Sequence, residues 1–201
     1  MEFSDAVHSR KMTRRFLPEP LDEALLDRLF SLALRSPSAG STNGVDLLVL
    51  RSEDSRTKFW ETISDLEWRE EPARSFGLTV APVIVIPVAS PNAYLERYAR
   101  DDKSASVLSR LPLASWPVPY WSIDAAFVAM TLLLSVTDLG LGALFFHLQG
   151  RDRELLSAFG IAEGTATIGA IAIGKPDTET TAERPRRRAR RVEERIHFER
   201  W

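Results

Sequence analysis

Residues 116–142 constrain this chain more than any other stretch. Ile123, Phe127, Met130 and Leu134 recur at the three- and four-residue spacing of a helix face, and Val136 and Leu139 continue the pattern. The other faces carry almost no charge either: Ala125, Ala126, Val128, Ala129, Thr131, Leu132 and Leu133. A helix that is apolar all round must be buried all round. A membrane span takes about 20 apolar residues, and this run is shorter and bracketed by capping signals. Asp124 stands near the helix start, where a carboxylate suits the positive end of the helix, and Gly140 stands where a C-terminal glycine cap is expected. Ala143-Leu-Phe-Phe-His147 then reads as a short strand. A buried helix feeding a buried strand forms the middle of the chain. Because the helix has no polar face, it also suits a position shared between two subunits.

The rest of the sequence narrows the chemistry mainly by exclusion. At 201 residues the chain is expected to form one domain spanning 1–201 with ample core. Its net charge of -2 argues against global attraction to nucleic acid or an anionic membrane, so neither is expected as a partner. With no cysteine, thiolate metal sites, disulfides and cysteine nucleophiles are ruled out. The N-terminus lacks a basic-then-apolar signal pattern, and a cytoplasmic location is expected. His8, His147 and His197 lack metal-ligand spacing, and no metal is expected. No Gly-x-Ser-x-Gly elbow, dinucleotide glycine fingerprint or Walker loop occurs. What remains is an enzyme whose chemistry resides in a bound cofactor, or a non-enzyme.

In chain order, residues 2–10 predict a short helix ending in the basic cluster Arg10, Lys11, Arg14 and Arg15. Residues 16–20 are extended, because Pro18 and Pro20 disfavour helix before them. Residues 21–34 predict a helix whose inward face is Leu21, Leu25, Leu29 and Leu32. Turn formers make 36–44 a loop. Residues 46–51 predict a strand, 53–75 a charged surface helix, and 79–89 a buried β-branched strand. Residues 90–120, with Tyr94, Arg97 and Tyr98 on a helix and then a Pro-, Trp- and Tyr-rich approach, form an excursion or lid. Residues 152–159 predict a helix and 166–174 the last core strand. From 175 the chain becomes a basic tail. Alternating helices and strands point to α/β or α+β architecture with the sheet covered on both faces.

Two arginine clusters, 10–15 and 184–191, stand near opposite ends of the chain. Taken alone they fit solvated surface or, if they meet in space, a phosphate pocket. Arg10-Lys-Met-Thr-Arg14 followed by Phe16 resembles the opening motif of the nitroreductase family of FMN-dependent oxidoreductases. Ser36-Pro-Ser-Ala-Gly-Ser41 is similar to that family's Ala-Pro-Ser-x-x-Asn loop. Residues 94–99, 116–124 and 139–146 are similar to a branch common in actinobacteria, as are the arginine-rich tail and the closing His197 and Trp201. The likeness covers essentially the whole chain, with its motifs in order.

The resemblance implies an α+β fold with a mixed, mainly antiparallel sheet flanked by helices. It also implies a domain-swapped type of homodimer with FMN sites between subunits. Arg10, Lys11, Met12 and Arg14 would hold the flavin phosphate and ribityl chain, with Arg187, Arg188 and Arg190 from the tail. Pro37, Ser38, Ala39, Ser41 and Asn43 would come from the partner subunit. Phe145, Phe146, His147 and Leu148 would lie at the flavin's reactive edge, where backbone N–H groups can bond N5. The implied activity is ping-pong hydride transfer from NAD(P)H through FMN to a nitroaromatic, quinone or related aromatic acceptor. No catalytic side chain is obligatory, since the flavin carries the redox chemistry. His147 is read as a locally bonded strand-end residue in preference to a proton donor. Tyr94, Tyr98, Trp116, Tyr120 and Trp121 are candidates either for acceptor stacking or for packing. The chain departs from the family pattern at Met12 (usually Ser), Ser41 (usually Asn), residues 43–45 (usually Gln-Pro-Trp) and Arg191 (usually Pro). These changes suggest, as an alternative, a non-catalytic or altered flavin- or deazaflavin-binding module on the same fold. A nucleic-acid-binding role for the arginine tail is a third reading.

Overall fold

The computed structural model describes residues 1–70, 77–178 and 195–200. The main elements are α1 (Phe3–Ser9), α2 (Glu23–Ala33), β1 (Val45–Leu50), α3 (Glu53–Ile63), α4 (Leu66–Glu70), β2 (Val83–Ala89) and α5 (Pro91–Tyr98). They continue with α6 (Tyr120–Asp138), β3 (Gly142–Phe146), α7 (Asp152–Ala158), β4 (Ala166–Thr167) and β5 (Ala170–Gly174). The strands form one sheet in the order β1-β2-β5-β3, with β4 paired to β2, and every strand pairing is antiparallel. An isolated parallel bridge between Met12 and Ala143 makes the sheet mixed, as the family resemblance implies.

Both faces of this sheet are buried, and the period-two geometry of a strand divides its side chains between two cores. Val83, Val85 and Ala89 meet Leu26, Leu29, Val128 and Leu132 from α2 and α6 on one face. Ile84, Ile86 and Val88 meet Phe59, Trp60 and Leu155 from α3 and α7 on the other. Burial on both sides is why residues 83–89 read as an unbroken apolar run, without the polar alternation of a half-exposed strand.

Three local expectations change. In α2, capped by Asp22 accepting from the Leu25 N–H at 3.2 Å, the inward face is Leu26, Leu29 and Ala33. Leu25 is half-buried and Leu32 is exposed, because the helix lies on α6 through the i, i+3, i+7 row and turns those two away. The described part of the predicted 53–75 helix is broken at Ser64 into α3 and α4, and α3 buries one apolar face beneath its charged outer surface. Ser64 is extended, Asp65 opens α4 by accepting from Trp68 N–H at 2.8 Å, and Phe59, Trp60 and Ile63 are buried. The charged residues of that segment hid this apolar face. The predicted 166–174 strand is interrupted at Ile168 and Gly169, and both halves pair with β2.

Helix α6 is the centre of the molecule. It ends as its sequence predicts: Leu141 N–H reaches Val136 C=O at 3.0 Å and Gly140 N–H reaches Thr137 C=O at 3.0 Å, with Gly140 at φ 70°. That is the Schellman pattern, which needs a left-handed residue at this position. Ala125, Val128, Ala129, Leu132, Leu133 and Val136 are buried against the sheet and α2. On the outer side Phe127 is 45% exposed and Met130 43%. One chain therefore covers one side of this apolar helix. Its length and composition alone would allow it to cross a membrane, but its inner side is committed to the protein core.

Candidate functional site

The basic N-terminal motif is built onto the sheet. Residues following α1 run beside β3, where Met12 bridges Ala143 and Thr13 N–H donates to Ala143 C=O at 2.8 Å. Glycine at 142 makes this approach possible, since a Cβ there would stand 2.6 Å from Thr13 Oγ1. Arg10 caps the C-terminus of α1, with its own N–H on Ala6 C=O. Its side chain carries a buried Nη1 with no hydrogen-bond partner among the described residues. An unsatisfied buried donor costs about 1–3 kcal/mol, and more when charged. An anionic oxygen would remove that cost, so this atom fits a phosphate-bearing ligand such as FMN. Lys11 and Arg14 are exposed. The Met12 side chain is half-buried and packs against both hydrophobic cores.

At the C-terminal end of β3 the side chains are also occupied by packing. Phe146 stacks on Trp60 with centroids 5.6 Å apart and meets Phe59 edge-on at 6.1 Å. Phe145 packs towards the α2–α6 core, and Leu148 is fully buried on the opposite face. Packing of the Phe145, Phe146 and Leu148 side chains leaves the backbone of this segment as its polar surface. His147 is exposed and its Nδ1 accepts the Gln149 N–H at 2.9 Å. This local bond leaves Nε2 to carry the proton in the neutral ring.

The 36–44 loop lies elsewhere, between α2 and β1. Ala39 N–H donates to Asp124 Oδ2 at 2.9 Å, and Tyr94 Oη donates to the same oxygen at 2.6 Å. Ser36 Oγ and Thr131 Oγ1 lie 2.7 Å apart, Asn43 N–H donates to Ser38 Oγ at 2.9 Å, and Arg97 Nε donates to Gly40 C=O at 2.8 Å. Ser41 and Asn43 are left-handed, at φ 55° and 52°. Tyr94 is fully buried, and its ionisation is pushed up first by burial, then by its bond to Asp124 and that group's charge.

The structure brings together some of the predicted residues and separates others. Val45 pairs with Ala89 and Phe146 with Ala170, so the loop and the end of β3 lie at the same end of the sheet. They sit at opposite edges, three inter-strand steps or roughly 14 Å apart. The residues named for the site thus fall into two groups at opposite edges of one sheet. Arg187, Arg188 and Arg190 lie outside the described residues. Two open concavities of about 360 and 500 Å³, which share Pro18 and Arg56, lie away from every predicted site residue.

The sequence reading placed Asp124 at the helix dipole and missed its partners. Asp124 is 2% exposed and serves a loop from outside its own helix. A signal was available, since it is the one charged residue between Trp116 and Asp138. The aromatics around it are a small core: Tyr94, Leu108 and Trp116 are buried, with Tyr98, Tyr120 and Trp121 packed against them. Trp116 also donates its indole N–H to Leu111 C=O at 3.1 Å.

Known proteins agree with this architecture. A chain from Methanothermobacter thermautotrophicus with the provisional name NADH dehydrogenase/NAD(P)H nitroreductase is 24% identical, covering 100% of this chain and 88% of its own length. A provisionally named Bacillus subtilis nitroreductase superposes with a TM-score of 0.74 at 18% identity, covering 98% of each chain. A nitroreductase family protein from Clostridium difficile 630 gives a TM-score of 0.71 at 15% identity, covering 99% of each. The profile of the nitroreductase family matches residues 7–111, more than half of the sequence. With the fold and the sequence profile in agreement, the chain belongs to the nitroreductase family of oxidoreductases.

Proposed function

We propose that this protein is an FMN-dependent NAD(P)H oxidoreductase that works as a homodimer, with each flavin site shared between subunits. The observation that carries the cofactor assignment is the buried, unpartnered Nη1 of Arg10. It sits in the segment paired with β3, so an anionic group bound there lies beside the strand leading to His147. When bound, FMN would supply the redox chemistry for ping-pong electron transfer from NAD(P)H to a nitroaromatic, quinone or related acceptor. Arg10, Lys11 and Arg14 bind and neutralise the phosphate end, joined by tail arginines. The backbone at residues 145–148 orients the ring edge. The loop at 37–43 of a second subunit closes the site.

The half-site geometry and the uncovered stripe of α6 support the dimer. The two edges of one sheet cannot meet, whereas a second chain laid on Ile123, Phe127 and Met130 would cover that stripe. The protein is expected to purify yellow, to bind added FMN when stripped, and to oxidise NAD(P)H with a quinone. A colourless protein that stays apo in excess FMN would defeat this reading. A second reading rests on Met12, whose side chain is committed to the core where the family pattern offers a serine hydroxyl. A flavin- or deazaflavin-binding module without turnover would bind cofactor yet show no NAD(P)H oxidation with any quinone or nitroaromatic.

A further inference from the structure

The loop at 38–44 holds an unfavourable backbone shape. Ser41 and Asn43 both occupy the left-handed region. That costs an ordinary residue about 1–2 kcal/mol and persists only where the surroundings impose it. Hydrogen bonds inside the loop supply part of that constraint: Ser41 N–H to Ser38 C=O at 2.9 Å and Asn43 N–H to Ser38 Oγ at 2.9 Å. The remainder comes from two helices.

We propose that Tyr94, Asp124 and Arg97 form a latch that holds this loop in its cofactor-receiving shape, which makes them positioning residues for the flavin. The inference rests on the flavin reading above and deepens it. Asp124 is nearly sealed from solvent, and a buried carboxylate persists only when its lone pairs are used. One of its oxygens accepts both the Ala39 N–H and the Tyr94 hydroxyl. Tyr94 itself is fully buried, and burial together with Asp124 keeps its phenol protonated, so the donor is permanent at neutral pH. Glycine at 44 lets the loop lie against that ring, because a Cβ there would stand 2.7 Å from Tyr94 Cε2. Arg97 grips the other end. Its Nε bonds Gly40 C=O while Nη1 and Nη2 hold Asp102 at 2.8 and 2.7 Å, which fixes the guanidinium plane. Ser36 and Thr131 tie the loop's entrance to α6. Asp124 and Thr131 lie on the same helix that exposes Phe127 and Met130. The latch therefore sets the loop relative to the helix that the partner subunit would cover.

Two measurements on the full-length protein test this. The first is amide hydrogen exchange over residues 38–44 in flavin-free protein, which needs no assumption about the cofactor. Tyr94→Phe and Asp124→Ala should speed exchange about tenfold, in keeping with loss of a hydrogen bond to a charged group. The second is FMN affinity by flavin fluorescence quenching. The same variants should raise Kd about tenfold, while saturating FMN restores kcat. Asp124→Asn keeps an oxygen that can accept both bonds and should lose less affinity than Asp124→Ala. Ile84→Ala, in the middle of the sheet and facing the other core, is the destabilised control and should leave both readouts near wild type. Unchanged exchange in Tyr94→Phe and Asp124→Ala overturns the latch. So does an equal rise in Kd for Ile84→Ala, because the effect would then reflect stability alone. Faster exchange in a wild-type background that binds no flavin leaves the latch in place but removes its link to the cofactor, and the flavin reading fails instead.

Discussion

Met12 and Ala143 are bridged in parallel, so the residues just after the first helix run along the edge of β3 and carry Arg10 with them. The buried Nη1 of Arg10 has no partner among the described residues. Replacing Arg10 with alanine should have opposite effects on the two forms of the protein. Flavin-free protein should keep or raise its Tm, since an unsatisfied buried donor is removed. FMN affinity should fall roughly 10- to 100-fold, the worth of a charge-assisted hydrogen bond. Thermal unfolding with and without FMN measures both, and a Tm loss equal in the two forms would assign Arg10 to the fold alone.

The exposed stripe of α6 predicts the assembly. Phe127→Glu with Met130→Glu places two charges where apolar side chains would pack. Burying each such apolar side chain is worth about 1.5–3 kcal/mol. The dimer dissociation constant should rise at least about 100-fold, giving monomers in sedimentation velocity. Flavin should be lost with the dimer. Wild-type protein that sediments as a monomer with flavin bound would contradict the shared site.

Tyr94 predicts an alkaline limit to stability. Its phenol is held above the ordinary value of 10.0 in the fold, mainly by burial. The unfolded phenol ionises near that ordinary value, so above it deprotonation favours the unfolded chain. The contribution is complete below about pH 10 and is lost as pH rises beyond it. Chemical denaturation between pH 8 and 11 should show the decline, and Tyr94→Phe should flatten it. At the acid end Asp102 behaves oppositely. The bond from Arg97 favours its ionised form and holds its carboxyl below the ordinary 3.8, so its contribution holds above that value and disappears as pH falls.

Ser41 predicts a simple gain. It adopts φ 55°, a conformation in which asparagine is several-fold enriched over most residues. Ser41→Asn, which restores the family's usual residue, should stabilise the loop on the order of 0.5 kcal/mol. It should also slow exchange of residues 38–44 and tighten FMN binding by about twofold. Measuring exchange and affinity on one preparation tests both.

Much of the fold was legible because it is written in local periodicity. The apolar run at 83–89 and the central helix with its Gly140 stop are each specified by neighbours in sequence. The α3 segment was misread because Lys58, Glu61 and other charges diluted the signal of Phe59, Trp60 and Ile63. The inward face of α2 was misread because Leu25, Leu26, Leu29 and Leu32 offer two leucine rows, and only the packing on α6 selects between them.

By itself, the sequence determined that the stretch 116–142 holds a helix with no side suited to water, and that a basic motif, a Ser-rich loop and a Phe-rich strand occur in family order. Those properties depend on residues a few positions apart. Only the tertiary structure decided which stripe of the helix the chain covers and which it leaves exposed. It also placed the two halves of the predicted site at opposite sheet edges, and it showed that Asp124 holds a loop far from it in the chain. Those outcomes depend on strand order and on hydrogen bonds between residues distant in sequence, and the geometry of such contacts has no local signature.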